Sequence, residues 1–276
     1  MKVAYQTITW GGVVGHPAGV TSVKDLHYLA NGPTEDALRE IAGAGYGGVE
    51  LFDGNLAQYA GREQDLRGLL GELGLELVAV YAGANFIYPD ILGEELAKIE
   101  GAAALAANLG ATHLVVGGGA VRAMGMRDDD YRLLADGLDR VVDLAGRVGL
   151  TPSFHPHLGT CAISPEQIAR LFERTGIGFC PDTAHLAAGG GNPAALIRTY
   201  GDRMPYVHLK DYDYADGTFL PLGRGQLEWA AIFEALQAVG YDGWITVELD
   251  AYDGAPAEAA RTSRSFLEET LTRRNT

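Results

Sequence analysis

The chain has 276 residues, 47% of them apolar and 21% charged, which is enough to bury one large core, and an α/β barrel of roughly 250 residues commonly forms a single domain. Its formal net charge of −15 at pH 7 argues against broad contact with nucleic-acid phosphates, which draws its affinity from clustered Lys and Arg, and the same field attracts divalent cations. No run approaches the roughly 20 apolar residues of a membrane span, so a membrane is not an expected partner either.

From the amino end, MKVAYQTITW enters an alternating apolar stretch without the segments of a secretion signal, and a cytoplasmic protein is expected. This stretch predicts a first strand over Val3–Thr9, with Gln6 and Trp10 near its carboxyl end and a loop over Gly11–Gly32. A helical spacing at Leu38, Ile41 and Ala42 leads to a second strand, Gly48–Leu51, which carries Glu50 near its end. Glu76–Tyr81 and His113–Val116 follow as strands three and four. His113 lies at the amino end of its strand, the stability end of a barrel, and reads as structural. Gly117-Gly118-Gly119 shows no P-loop or dinucleotide pattern and reads as a flexible loop, as does Gly189-Gly190-Gly191. A helix marked by Leu134, Leu138, Val141 and Ala145 precedes the fifth strand, Thr151–Phe154. Ser164-Pro165-Glu166-Gln167 then opens another helix with an N-cap serine, a proline in the first turn and a capping-box glutamine. Strands six to eight are Ile177–Cys180, Tyr206–Leu209 and Trp244–Glu248, the last preceded by a helix at Trp229, Ile232, Phe233 and Leu236. Cys161 and Cys180 have no CxxC spacing and read as buried thiols. Eight βα units without a linker or composition break predict one (β/α)8 TIM barrel over residues 1–276.

In such a barrel the residues just past the strand ends form the active site. The fifth strand ends in His155-Pro156-His157, the sixth leads to Asp182-Thr183-Ala184-His185, the seventh carries His208-Leu209-Lys210-Asp211, and the eighth ends in Glu248-Leu249-Asp250. A lone histidine at a strand end is more often structural than a ligand, but here four consecutive strands each deliver a candidate. His155, Asp182, His208 and Glu248 therefore read as a metal site. Two imidazoles and two carboxylates suit Mn²⁺, Co²⁺, Zn²⁺ or Fe²⁺ better than an all-oxygen Ca²⁺ cage; Mn²⁺ ranks first, and Mg²⁺ stays within the set. Asp211 and Asp250 are weaker candidates, each equally a surface or capping residue. Gln6, Trp10 and Glu50 face the same mouth and either hold substrate hydroxyls, stack on a ring face or serve the core. Arg224 either binds a substrate oxygen or pairs with a surface carboxylate.

The phrases Asp182-Thr183-Ala184-His185-Leu186, His208-Leu209-Lys210-Asp211, Pro221-Leu222-Gly223-Arg224-Gly225 and Gly240-Tyr241-Asp242-Gly243-Trp244-Ile245-Thr246-Val247-Glu248 resemble the xylose-isomerase-like TIM barrels of sugar isomerases and epimerases. The resemblance implies that Asp182, His208 and Glu248 bind metal, that His185 contacts substrate or water at the ion, and that Lys210 lines the pocket. One stretch departs from the ketose 3-epimerases, whose fifth strand ends in a metal-binding glutamate. Here His155-Pro156-His157-Leu158-Gly159-Thr160 resembles the His-His-His-(Leu/Met)-Gly-Thr segment of inosose dehydratases, with His155 in the place of the glutamate. The candidate catalytic set is Glu248, His155, His157, His185 and Lys210. The implied reaction is metal-assisted proton abstraction beside the carbonyl of a small sugar or cyclic polyol ketone, with inosose dehydration favoured and isomerisation or 3-epimerisation as the alternative. Barrels of this group often form homo-oligomers. Endonuclease IV is a distant relative, but its multinuclear zinc site needs more His and Glu ligands and a basic rim, which makes DNA repair a remote alternative.

Overall fold

Strands covered by helices on one face and packed around a barrel interior on the other have no solvated side, so they read as continuous apolar runs. That is the burial found at Gly48–Phe52, buried throughout, and along Glu76–Gly83 after its first residue. The computed structural model describes residues 1–12 and 27–274. Its strands are β1 (Lys2–Gln6), β2 (Gly48–Phe52), β3 (Glu76–Gly83), β4 (His113–Gly117), β5 (Thr151–His155), β6 (Gly178–Phe179), β7 (Val207–Leu209), β8 (Asp211–Tyr212), β9 (Phe219–Leu220) and β10 (Trp244–Val247). Its α-helices are α1 (Thr34–Gly43), α2 (Asp53–Ala57), α3 (Glu63–Leu73), α4 (Pro89–Asn108), α5 (Asp128–Arg147), α6 (Pro165–Phe172), α7 (Thr183–Ala188), α8 (Pro193–Tyr200), α9 (Trp229–Ala238) and α10 (Pro256–Arg274).

Eight strands form one parallel sheet in the order β6-β5-β4-β3-β2-β1-β10-β7. Its two edges meet just beyond β6, where Asp182 and His208 form a parallel bridge and the His208 N–H donates to Pro181 O at 2.9 Å. That seam closes the barrel. The eight strands and the TIM-barrel architecture expected from the sequence are present. The helix opened by Ser164 also begins as expected: its Oγ accepts from Gln167 N at 3.3 Å, and Gln167 Oε1 accepts from Ser164 N at 3.1 Å.

Several boundaries differ from the sequence reading. The first strand ends at Gln6 rather than Thr9, because Gln6 Oε1 accepts the Ile8 N–H at 2.5 Å and winds Thr7–Thr9 into a 3₁₀ turn. The sixth strand pairs over Gly178–Phe179 alone, while Glu248 lies just beyond β10 and still donates its N–H to Leu209 O at 3.1 Å. The antiparallel hairpin β8–β9 was not expected. Gly117-Gly118-Gly119 is no flexible loop: Gly117 belongs to β4, and at Gly119 (φ +70°) an added Cβ would stand 2.1 Å from Ala84 O. Most of the expected Gly11–Gly32 loop, residues 13–26, lies outside the described residues.

His113, at the amino end of β4, stacks on Tyr206 with ring centroids 4.8 Å apart, and among the described residues its Nδ1 has no hydrogen-bond partner. Burial alone lowers its pKa from 6.5 to about 4. The unfolded chain therefore binds this proton at a higher pH than the folded one, so the contribution to stability is complete above pH 6.5 and lost as pH falls toward 4. The difference amounts to at most about 3 kcal/mol. His113→Phe keeps the stacking and removes the titration. In urea unfolding between pH 6.5 and 4, the variant should lose up to about 3 kcal/mol less stability than the parent; parallel curves for the two proteins would refute this account.

Candidate metal centre

A strand advances about 3.3 Å per residue and returns to the same face every second residue. Three strand ends use that period to present two polar side chains each. The first members, His155 at the end of β5, His208 in β7 and Glu248 after β10, meet in a lower layer; the second members, His157, Lys210 and Asp250, form a layer above it. Asp182 and His185 join them through the first turn of α7, with Asp182 as its N-cap.

In the lower layer, His155, Asp182, His208 and Glu248 each offer a ligand atom, all within 4.8 Å of one another and all four side chains buried. Every donor is oriented. His155 Nδ1 lies 3.2 Å from Pro156 O, so the proton sits on Nδ1 and Nε2 is turned inward, 3.1 Å from Glu248 Oε2. His208 presents Nδ1 at 2.7 Å from the same oxygen, while its Nε2 lies 3.0 Å from Glu50 Oε2. Asp182 Oδ1 accepts the His185 N–H at 2.7 Å; its Oδ2 is buried and, among the described residues, has no hydrogen-bond partner.

The electrostatics follow from burial and pairing. Burial disfavours the Asp182 carboxylate, Lys210 partly offsets this, and its pKa is pushed up to about 6. Burial works against the Glu248 charge as well, but Lys210 and His208 outweigh it and hold this carboxyl well below its usual range. His155 is kept neutral by burial and by neighbouring His208. Burial also disfavours the charged form of His208, yet Glu50 and Glu248 on either side raise it to about 10, so without a second cation it carries a proton between two carboxylates. A buried lone pair without a donor, two imidazoles with fixed tautomers and two carboxylates fit a divalent transition-metal ion.

In the upper layer, Lys210 Nζ is fully buried, donating to Asp250 Oδ2 at 2.5 Å and to His185 Nε2 at 3.0 Å, and it lies 3.5 Å from Asp182 and 3.8 Å from Glu248. His157 Nε2 is 3.6 Å from Asp250 Oδ1, and its Nδ1 lies 2.8 Å from Leu158 O, which places a proton on Nδ1 and leaves Nε2 facing the site. Burial and then the neighbouring His157 and Lys210 hold His185 well below its ordinary pKa. Phe219 of the hairpin covers the layer, with its ring centroid 4.8 Å from Lys210 Nζ and 4.8 Å from the His185 ring.

The remaining sequence candidates are placed differently. Glu50 is fully buried under the lower layer rather than at the mouth. Trp10 packs edge-on to Tyr5 and donates Nε1–H to Glu40 at 2.7 Å, within the core. Gln6 Oε1 caps the 3₁₀ turn, and among the described residues its buried Nε2 has no partner. Arg224 is exposed and lines a surface groove with Glu258, Arg261 and Phe266 on α10, away from the histidines. Asp250 and Asp211 are buried rather than superficial. The position of Asp250, two residues past Glu248, already assigns both to one face; Phe219 carries no comparable sequence signal.

The profile of the family described as xylose isomerase-like TIM barrel matches residues 38–270. The chain belongs to this family. An inosose dehydratase of Lacticaseibacillus casei is 32% identical over 166 residues, covering 52% of this chain and 56% of that relative, so the match spans little more than half the relative's length. An inosose dehydratase of Geobacillus kaustophilus (strain HTA426) is 29% identical over 280 residues, covering 88% and 90%. Among solved structures, an IolI protein with a bound zinc atom superposes with a TM-score of 0.77 at 18% identity over 99% of each chain. The 3-keto-D-glucoside 4-epimerase YcjR of E. coli gives 0.74 at 20% identity over 98% of this chain and 99% of that one. At these identities the structural likeness is one of fold.

Asp211 differs in kind from its neighbours. Its Oδ1 accepts from the Tyr212 and Leu227 N–H groups at 2.9 and 3.2 Å, and its Oδ2 from the Gly223 N–H and Trp229 Nε1–H, both at 2.9 Å. It pins the Pro221–Gly225 loop to the hairpin and contributes nothing to either layer. Asp211→Ala strands buried donors and should cost at least about 3 kcal/mol in chemical denaturation; a loss below about 1 kcal/mol would contradict this role.

Proposed function

We propose that this protein is a divalent-metal-dependent lyase that dehydrates a cyclic polyhydroxylated ketone, an inosose, with Mn²⁺ as the favoured ion. The observation that carries the reading is the layered site: a buried ring of two imidazoles and two carboxylates, directly overlaid by two more imidazoles, an ammonium and a carboxylate. The names of the Lacticaseibacillus and Geobacillus relatives support the substrate class. Bound by His155, Asp182, His208 and Glu248, the ion would supply Lewis acidity that makes the C–H beside a carbonyl easier to deprotonate.

The chain's own groups divide the remaining work. Glu248 is kept ionised and is the base suited to take that proton. Lys210 sets a fixed positive charge 3.8 Å from Glu248, where an oxygen gaining negative charge would be stabilised. Loss of the β-hydroxyl requires a proton at the departing oxygen, so that water leaves as the C–O bond breaks. His185, held neutral, is a poor donor. His157 is the better placed one: its Nε2 faces the site, 3.6 Å from Asp250 Oδ1. Phe219 of the hairpin packs its ring against Lys210 and His185 on this layer.

Elemental analysis should find one divalent ion per chain, lost in Asp182→Ala and in Glu248→Ala. With Mn²⁺ and scyllo-inosose, the purified protein should release one water and generate an absorbing hydroxy-enone, the enol form of a 1,2-dione. His157→Ala should slow that step about 100-fold or more while retaining the ion. Intact inosose alongside epimerisation of a ketose such as fructose or tagatose would replace the dehydratase reading with the isomerase one.

A further inference from the structure

Glu50 is a fully buried carboxylate that the proposed reaction does not use. Its Oε2 lies 3.0 Å from His208 Nε2, while Nδ1 of the same ring stands 2.7 Å from Glu248 Oε2. A neutral imidazole has one N–H, and an ionised carboxylate can only accept. Burial pushes the Glu50 pKa up while His208 pulls it down; in its ionised form Glu50 accepts from Nε2–H, which leaves the Nδ1 lone pair pointing at the space shared with His155, Asp182 and Glu248. Tyr206 stands beside Glu50 and is itself held by Thr246, whose Oγ1 donates to the Tyr206 hydroxyl at 2.5 Å. Glu50 is thus held between the His208 ring and the Tyr206 hydroxyl, each of which stabilises its carboxylate.

The two imidazoles of the lower layer are thus steered by different means. His155 is oriented by the Pro156 backbone carbonyl, which no side-chain substitution removes. His208 is oriented by a side chain on β2, 158 residues away in sequence. We propose that Glu50 is the positioning residue of the centre: by fixing the tautomer and ring plane of His208 it makes Nδ1 the ligand atom and increases its basicity toward a divalent ion. The inference rests on the four-residue ring being a metal site.

Metal affinity rather than turnover is the decisive readout. Co²⁺ titrations against a competing chelator should show Glu50→Ala binding about 10- to 100-fold more weakly than the parent. Glu50→Gln keeps the volume but loses the charge, and should fall between the two. It decides the matter if Glu50→Ala does not fold. In Zn²⁺-loaded protein with ¹⁵N-labelled histidine, His208 of the parent should show a protonated Nε2 and a metal-bound Nδ1, and Glu50→Gln should disturb this pattern while leaving that of His155 unchanged. If both variants bind Co²⁺ as tightly as the parent, or His208 keeps its tautomer without the carboxylate, Glu50 does not position the ligand. If the parent binds Co²⁺ no better than Asp182→Ala, the metal reading itself fails and this inference falls with it.

Discussion

The parallel register around the barrel mouth sets everything above it. Thr246 pairs with His208 and Val247 with Leu209, while Phe154 pairs with Phe179 at the other edge of the sheet. Side chains from β5, β7 and β10 therefore leave the barrel at matching heights. Because the side-chain period is two, a slip of one residue in any of these strands would turn its polar pair toward the helices and bring apolar neighbours such as Leu209 or Leu249 into the site. The core that fixes the register and the chemistry that depends on it are thus parts of one arrangement.

The second constraint is charge. Removing carboxylates and an ammonium from water is costly unless each is paired with good geometry. Here each cation touches more than one anion. His208 lies between Glu50 and Glu248, and Lys210 among Asp250, Asp182 and Glu248. Burial disfavours the Lys210 ammonium, but the surrounding carboxylates more than offset it and raise its pKa. Lys210 also occupies the space between His157, His185 and Asp250, three groups that could themselves hold a cation. A tethered charge in that position separates the two layers into one suited to an ion and one suited to proton transfer.

Much of this was legible in the sequence because the barrel strands and their ends are local patterns. The predicted strand starts Val3, Gly48, Glu76, His113 and Thr151 each lie at or one residue from the start of an observed strand, β1 to β5, and the residues beyond the strand ends were sufficient to pick out His155, Asp182, His208 and Glu248. What escaped depended on partners distant in the chain or on elements too short to show a period. Glu50 reads as a mouth residue until the fold brings His208 to it. The hairpin β8–β9 has two residues in each strand, below the length at which alternation can be recognised. The triple glycine at 117–119 has the composition of a loose loop, and only the close approach of the Ala84 carbonyl explains it as packing.

The seam between the sheet edges has its own consequence. Most neighbouring strands share a ladder, whereas the edges beside β6 and β7 are joined by the Asp182–His208 bridge and by Thr183, whose Oγ1 donates to Lys210 O at 2.6 Å and accepts from Lys210 N at 2.9 Å. Asp182 and His208, which form this bridge, also belong to the lower layer. A ligand bridging the two side chains would act as a clasp across the weakest line of the barrel, so occupancy of the site and resistance of the seam to local opening become one equilibrium. The backbone amides of His208 and Lys210 are where that coupling would be felt first.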